Sequence, residues 1–253
     1  MKDENVSRPF IANPSVPEGC SVYAIGDIHG RLDLLDRLLN SIAEDVAATS
    51  PLQVAVVFLG DVVDRGADSC GVVERLAAGP PAGSLSGAQW LCLRGNHEEA
   101  MLDFLGDAAA GRSWFPWGGV ETVRSYVGAD AMREWRGDMV QAQMMLRRHL
   151  PPAHRRFLEN LPVSHEIGDY LFVHAGVKPG VPLDRQHPAD LLWIRHEFLD
   201  DDRWHGRMVV HGHTPERQPQ VRANRIGIDT MAYESGVLTA LVLHGTDRRF
   251  LST

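Results

Sequence analysis

Five short segments of this chain place Asp, Asn or His next to glycine, directly after apolar runs of strand length. The first is GDIHG at residues 26–30, in which Asp27 and His29 lie two positions apart. Because side chains of an extended segment alternate with a period of two, these two point to the same side. A buried carboxylate is costly unless it is paired or coordinates a metal. This pair of oxygen and imidazole donors therefore indicates a metal site.

The other four segments add donors of the same kind. They are GDVVDRG at residues 60–66, RGNHE at 94–98, HAG at 174–176 and HGHTP at 211–215. Each has a simpler explanation when taken alone, since an Asp after Gly is usually a turn residue and a single His is more often structural than a ligand. Their recurrence at strand ends favours one shared site, because sites in open α/β sheets form beyond the carboxyl ends of the strands.

The candidate donors are oxygen and imidazole groups, with no thiolate among them. Such a set suits Mn, Fe or Zn rather than a structural zinc cage. Two divalent cations about 3.5–4 Å apart, bridged by a carboxylate, need about this number of ligands, and they clamp the attacking and leaving oxygens of a phosphoryl displacement. The motifs therefore predict phosphoester hydrolysis at a dinuclear site.

Strands and helices must alternate to position these motifs. The predicted elements of the first part are strands at residues 20–26, 52–60 and 88–94 and helices at 31–48 and 68–78. This order predicts a parallel sheet covered on both faces. Residues 97–160 are mostly helical in pattern, with breaks at glycine and proline.

Strand patterns return in the last third of the chain, at residues 169–174, 207–211, 225–229 and 236–243. These four lie close together with few helices between them, which favours a second sheet that is more mixed or antiparallel. We expect an α/β fold in which two sheets pack face to face with helices outside.

Composition limits the classes of function. The chain has 253 residues, of which 44% are hydrophobic and 23% charged, and its formal net charge is −8. These values are typical of a soluble globular protein, and an acidic chain is a poor candidate for binding nucleic acid or an anionic membrane. No apolar run is long enough to span a membrane, and the N-terminal residues contain no hydrophobic signal core. We therefore predict a cytoplasmic protein of undetermined oligomeric state.

Taken together and in this order, the five motifs resemble those of the metallophosphoesterase superfamily. In detail they are similar to the phosphoprotein phosphatase family, in its bacterial and phage branch. The resemblance implies the calcineurin-like sandwich of two mixed β-sheets flanked by helices. We expect a flexible N-terminal arm at residues 1–18 and a catalytic domain at 19–253. A helical insert at 99–165 begins beside the RGNHE motif, so it could act as a lid.

The resemblance also implies a role for each matching residue. The implied metal ligands are Asp27, His29, Asp61, Asn96, His174 and His213, with Asp61 bridging the two cations. His97 would be the general acid and Asp64 its orienting partner, and Arg65 and Arg195 would bind the phosphate. Judged from the residues alone, Asp64 could instead be a turn residue or cap the helix at 68–78, and either arginine could belong to a surface ion pair.

Two further features of the sequence have alternative explanations. His211 could be an additional ligand because it lies two residues before His213, but a hydrogen-bonding role is favoured. The insert carries the aromatic residues Trp114, Phe115, Trp117, Tyr126 and Trp135. An aromatic cluster is more often part of a core than a platform for substrate.

Several phosphoesters could be the substrate. The complete GDVVDRG and GNHE motifs favour a serine/threonine protein phosphatase with two divalent cations, Mn first and Fe or Zn as alternatives. Dinucleoside-polyphosphate hydrolases of the family tend to lack the aspartate matching Asp64, and nucleases tend to show G-H-x-H where this chain has Pro215. An inactive scaffold is disfavoured because every expected ligand is present. The substrate is predicted to be a phosphorylated protein, with symmetrical dinucleoside-polyphosphate hydrolysis or a small phosphoester as the alternative.

Overall fold

The computed structural model of the protein describes residues 9–253, and the elements below are those of this range. The strands are β1 (Cys20–Ile25), β2 (Gln53–Phe58), β3 (Gln89–Cys92), β4 (Ser164–Ile167), β5 (Tyr170–Val173), β6 (Met208–His211), β7 (Gln220–Val221), β8 (Arg225–Gly227), β9 (Thr239–His244) and β10 (Asp247–Ser252). The helices are α1 (Leu32–Thr49), α2 (Ser69–Ala77), α3 (Asn96–Gly106), α4 (Gly111–Trp114), α5 (Gly119–Val127), α6 (Ala129–Glu134), α7 (Met139–His149), α8 (Pro152–Glu159), α9 (Pro188–Trp193), α10 (His196–Leu199) and α11 (Ala232–Ser235). Over the described range, every helix is too short or too polar to cross a lipid bilayer.

The strands form two five-stranded mixed sheets, which confirms the predicted fold class. The first sheet has the order β10-β9-β1-β2-β3, with β1, β2 and β3 parallel to one another. The second has the order β4-β5-β6-β8-β7, with a parallel centre and an antiparallel strand at each edge. In both sheets the parallel strands carry the motifs at their carboxyl ends.

One predicted strand was assigned to the wrong sheet. The strand expected at residues 236–243 is β9, and it pairs antiparallel with β1 of the first sheet, with Leu241 opposite Ala24. Five of its six residues are buried, as suits a central strand that has β1 on one side and β10 on the other. Closeness in sequence to β8 favours the second sheet. A strand that is buried on both faces can nevertheless take a central position in either sheet.

Three apolar layers hold the sheets and helices together. Alternate β1 residues such as Val22 and Ala24 pack between the sheets, against Phe172 and Val210 of the second sheet. The other β1 side chains, such as Tyr23, belong to a layer with the helices α1 and α2. A third, smaller layer lies between the second sheet and the helices α9 and α10. The sheet edges are therefore fixed relative to each other.

The helices α3 to α8 continue the layer on the outer face of the first sheet. Trp114, Phe115 and Tyr126 are buried in it, which confirms the predicted core role for most of the insert's aromatic residues. Trp117 differs, since 39% of its surface is exposed. A hydrogen bond of 2.6 Å between His154 Nε2 and Glu74 Oε2 joins α8 to α2. The insert is thus built on the body of the domain, while its role as a lid stays a prediction.

Part of the N-terminal segment contacts the two sheets. The Ser15 backbone N–H donates to Asp169 Oδ2 at 3.0 Å, and the Tyr170 hydroxyl donates to the Pro14 carbonyl at 3.1 Å. The backbone N–H of Val16 donates to the Gly245 carbonyl at 3.0 Å. The flexible arm predicted for residues 1–18 stays a prediction, and its first eight residues lie outside the described range.

Candidate active site

The loops that follow five parallel strands meet at one edge of the sandwich. The loop after β1 carries Asp27 and His29, and the loops after β5 and β6 carry His174 and His213. The β2 loop supplies Asp61, and the start of α3 supplies Asn96. All six side chains are buried, and the structure brings them together in one polar cluster.

Asp61 lies at the centre of this cluster. Its Oδ2 is 3.6 Å from His29 Nε2, and its Oδ1 is 3.4 Å from His174 Nε2. Two groups of donor atoms share it, and within each group all atoms lie within 4.8 Å of one another: His29, Asp61 and His97, and Asp61, His174 and His213. A carboxylate common to two adjacent donor groups is the arrangement needed to bridge two cations.

Asn96 and Asp27 complete the cluster, and both contact His213. Asn96 Oδ1 lies 2.8 Å from both His174 Nε2 and His213 Nδ1. Asp27 accepts hydrogen bonds from the His213 backbone N–H at 3.1 and 3.2 Å. A Cβ atom at Gly212 would lie 2.0 Å from Asp27 Oδ1, so the HGHTP motif needs glycine at this position.

The electrostatics of the cluster fit divalent cations. Burial and the charges of Asp229 and Asp61 raise the pKa of Asp27 well above its usual range. Burial lowers the pKa of His29 to about 3 and that of His213 to about 2, so both rings are neutral donors. His213 Nε2 is buried without a hydrogen-bond partner among the described residues. Neutral imidazoles and crowded carboxylates are what metal binding requires.

A second pair of groups adjoins the cluster. His97 Nδ1 lies 2.6 Å from Asp64 Oδ2, and Asp64 is completely buried. Two residues of the insert hold this carboxylate, because Trp114 Nε1 donates to Oδ2 at 2.7 Å and Thr122 Oγ1 donates to Oδ1 at 2.6 Å. The cap of α2 is Asp68, which accepts from the Gly71 N–H, so the alternative role of Asp64 as a helix cap is wrong.

The free ring nitrogen of His97 faces the cluster. Its Nε2 lies 3.8 Å from Asp61 Oδ2 and 3.4 Å from Arg65 Nη2. Burial alone would lower the pKa of His97, but the charges of Asp61 and Asp64 raise it above its ordinary value. A protonated imidazole held by a buried carboxylate and pointing at the donor groups is able to act as a general acid.

The two predicted phosphate-binding arginines flank the cluster. Arg65 contacts His97, and its guanidinium lies 4.4 Å from the ring centroid of Tyr233. Arg195 is exposed, and its positive charge contributes to lowering the pKa of His174. Within the described residues neither arginine forms an ion pair with a carboxylate, so the surface-pair alternative has no support.

His211 lies apart from the donor groups. Its Nδ1 is 3.0 Å from the Gly212 carbonyl oxygen, and its Nε2 is 3.4 Å from Arg225 Nη1. The favoured prediction of a hydrogen-bonding role is therefore confirmed.

Backbone strain is concentrated at the cluster. Of the seven non-glycine residues with positive φ in the range 9–253, five are predicted site residues: His29, Asp61, Asp64, Arg65 and His213. Such conformations cost about 1–3 kcal/mol each and persist only where the surroundings impose them. Contacts with the rest of the domain must therefore hold these loops in their conformations.

Glu98 is the anchor that the sequence analysis missed. Its completely buried carboxylate accepts hydrogen bonds from the backbone N–H groups of Asp61 and Gly95 at 2.8 Å each, and from those of Val62 and Val63 at 2.9 and 3.2 Å. Burial and the charge of Asp61 raise its pKa to about 7. The only signal was its place in RGNHE, directly after His97. Glu98 fixes the loop that presents Asp61.

We expect Glu98→Gln to destabilise the protein by about 2 kcal/mol, because the amide nitrogen cannot accept the N–H groups that one carboxylate oxygen now binds. Urea unfolding measures this loss. Glu99→Gln is the matched control, since Glu99 Oε2 accepts no hydrogen bond from the described residues. Equal stability of the two variants would show that Glu98 does not anchor the loop.

Comparison with known proteins assigns the chain to a family. The sequence profile described as Calcineurin-like phosphoesterase matches residues 20–238. The chain belongs to the calcineurin-like phosphoesterase family. This phosphoesterase is 29% identical to Serine/threonine-protein phosphatase 1 of Salmonella typhimurium in an alignment of length 230 that covers 86% of this chain and 89% of that protein. It is 25% identical to the asymmetrical bis(5'-nucleosyl)-tetraphosphatase PrpE of Anoxybacillus flavithermus in an alignment of length 238 that covers 86% of this chain and 88% of that protein.

A solved structure shares the fold of the phosphoesterase. That protein, assigned provisionally as a diadenosine tetraphosphatase, superposes with a TM-score of 0.59 at 21% identity and covers 96% of this chain and 98% of its own. The calcineurin-like fold is therefore established, while the relatives carry the names of two different activities.

Proposed function

We propose that this phosphoesterase is a dinuclear metal-dependent phosphomonoesterase that acts on phosphoserine and phosphothreonine in proteins. Asp27, His29 and Asp61 would hold one cation, and Asp61, Asn96, His174 and His213 the other. When bound, the cations would supply the Lewis acidity that makes water nucleophilic near neutral pH. The donor chemistry of the cluster supports this assignment, because Asn96 Oδ1, His174 Nε2 and His213 Nδ1 lie within 3.1 Å of one another.

The chain's own residues would bind and orient the phosphate. Arg65 and Arg195 would hold its non-bridging oxygens, for which the planar guanidinium fork is well suited. His97 would donate the proton on Nε2 to the leaving oxygen, while Asp64 holds Nδ1. Burial of Asp64 by the insert would keep this carboxylate away from water and hold the imidazole in one orientation.

One observation carries the choice of a monoesterase with a poor leaving group: the 2.6 Å contact of His97 with Asp64 beside the donor cluster. The alkoxide of serine or threonine needs a proton from a positioned acid. The nucleoside phosphate released from a dinucleoside polyphosphate is a much better leaving group. The relative from Salmonella typhimurium, named as a serine/threonine-protein phosphatase, is consistent with this choice.

Dinucleoside-polyphosphate hydrolysis is the second candidate. It is favoured by the similarity to a bis(5'-nucleosyl)-tetraphosphatase over 86% of this chain. Initial rates on phosphoserine, phosphothreonine and phosphotyrosine peptides, compared with diadenosine tetraphosphate, separate the two. We expect the phosphopeptides to be the better substrates, and a clear preference for the dinucleotide would favour the second candidate.

We expect removal of divalent cations with a chelator to abolish hydrolysis of p-nitrophenyl phosphate, and Mn²⁺ to restore it, because no side chain of the cluster replaces the cations as a source of positive charge. Initial rates and metal content are measured on the same samples, with Mg²⁺ and Zn²⁺ as comparisons for the choice of Mn. Full activity in protein shown to be free of metal would contradict the proposal.

The cytoplasmic location stays a prediction.

A further inference from the structure

Three aromatic rings surround the polar cluster. The Trp117 ring centroid lies 6.4 Å from that of His97, and the Trp193 centroid lies 6.4 Å from that of His213. Tyr233 packs on His29 at 5.4 Å. The ring centroids of Trp117 and Trp193 lie 5.4 Å apart. The pair of tryptophans therefore reaches from His97 to His213.

The tryptophan pair joins two distant parts of the chain. Trp117 lies in the insert between α4 and α5, and Trp193 is the last residue of α9, which packs on the second sheet. The insert and α9 therefore each place one tryptophan beside the cluster.

The turn that carries Trp117 is pressed against the β2 loop. Gly118 has a φ of 108° and accepts a hydrogen bond from the Arg65 backbone N–H at 3.3 Å. A Cβ atom at Gly118 would lie 2.4 Å from that nitrogen. Trp117 is thus held at a fixed place next to a predicted phosphate-binding residue.

Neither tryptophan is needed to fill a core. Each is 39% exposed, whereas Trp114 and Phe115 of the same insert are buried. A large aromatic surface left open to solvent beside a catalytic cluster is a feature of ligand sites rather than of packing.

We propose that Trp117 and Trp193 form an aromatic subsite that binds the planar ring of an aryl phosphomonoester, such as phosphotyrosine, while its phosphate lies on the polar cluster. This inference rests on the proposed phosphomonoesterase function and adds aromatic leaving groups to its substrates. Trp117 and Trp193 are then residues that determine specificity.

The position of the pair favours a ring bonded directly to the leaving oxygen. That oxygen would lie beside His97 Nε2, and the His97 ring is 6.4 Å from the ring of Trp117. In an aryl phosphate the ring is bonded directly to the leaving oxygen, so the ring would lie next to Trp117 and Trp193. A nucleobase is separated from its phosphate by a ribose, and an alkyl group offers no planar face for stacking.

Two phosphonates that cannot be hydrolysed test the subsite. In benzylphosphonate a methylene replaces the leaving oxygen of phenyl phosphate, and cyclohexylmethylphosphonate has the same number of heavy atoms without a planar ring. Calorimetric titration of the Mn²⁺-loaded protein should show about fivefold tighter binding of benzylphosphonate, given the usual strength of aromatic pairs. Trp117→Leu and Trp193→Leu should reduce this ratio to about one.

Trp135→Leu is the matched control, because Trp135 lies in the same insert but packs on Phe115. It should leave the ratio unchanged. Equal binding of the two phosphonates by the parent protein, or an unchanged ratio in Trp117→Leu, would overturn the subsite while hydrolysis persists. A loss of adenosine monophosphate binding in Trp117→Leu without a change for benzylphosphonate would assign a nucleobase instead and overturn the inference. A parent protein that hydrolyses no phosphoester and binds no phosphonate would overturn both proposals.

Discussion

Replacing Asp61 with Asn is expected to abolish metal pairing and phosphoester hydrolysis together. Asp61 is the one carboxylate shared by both donor groups, with oxygens 3.6 Å from His29 Nε2 and 3.4 Å from His174 Nε2. A neutral amide offers one oxygen in place of two and lacks the charge that holds two cations together. We expect kcat to fall at least about 10³-fold, because the two proposed cations would supply several kcal/mol of transition-state stabilisation.

Metal content by mass spectrometry and rates on p-nitrophenyl phosphate measure the two losses in the same preparation. Asp130→Asn is the control for the change from carboxylate to amide, since the Asp130 side chain is 92% exposed and pairs with Arg133 on the surface. An Asp61→Asn protein that retains two cations and normal turnover would remove Asp61 from the bridging position.

Replacing His97 with Asn is expected to slow alkyl phosphates far more than aryl phosphates. His97 is held by Asp64 at 2.6 Å, and a positioned acid accelerates departure of a poor leaving group by about 10²–10⁴-fold. An aryl oxide leaves with little help, so its rate should fall much less. Phosphoserine peptide and p-nitrophenyl phosphate, assayed side by side, give the comparison. Equal losses on the two substrates would contradict the role of His97 as the acid.

The pH dependence gives an independent check of the same assignment. The pKa of His97 is raised by Asp61 and Asp64 against the effect of burial. An acid must be protonated to act, so kcat on alkyl phosphates should fall as the pH rises through this raised pKa. Asp64→Asn removes one of the two negative charges, and the falling limb should then move to lower pH. His149→Asn, a change at an exposed histidine of α7, should leave the limb in place.

Much of the site could be predicted because its donors lie in short motifs at strand ends. Asp27 and His29 follow β1 directly, and the period of the strand alone puts them on one side. The strands were also clear, since central strands such as β1 are buried along their whole length. At the centre of the sheets, the local sequence pattern was therefore enough to predict both the strand and the motif at its end.

The rest depends on contacts between distant residues. The pairing of β9 with β1 joins residues more than 200 positions apart, and no local pattern specifies it. The edge strands β4, β7 and β10 are short or largely exposed, so their patterns did not distinguish them from loops. Trp117 and Trp193 contact each other beside the site, although one lies in the insert and the other in α9.

The hydrogen bonds from the insert to Asp64 limit how the sequence of the insert can vary in evolution. Trp114 and Thr122 belong to the insert, yet they complete the hydrogen bonds of a carboxylate on the β2 loop. A break between α4 and α5 would leave the proposed proton donor without a fixed partner. Turnover of poor leaving groups would then be lost while the cations stay bound, so under the proposed mechanism evolutionary variation of the insert is limited wherever it supports Trp114 and Thr122.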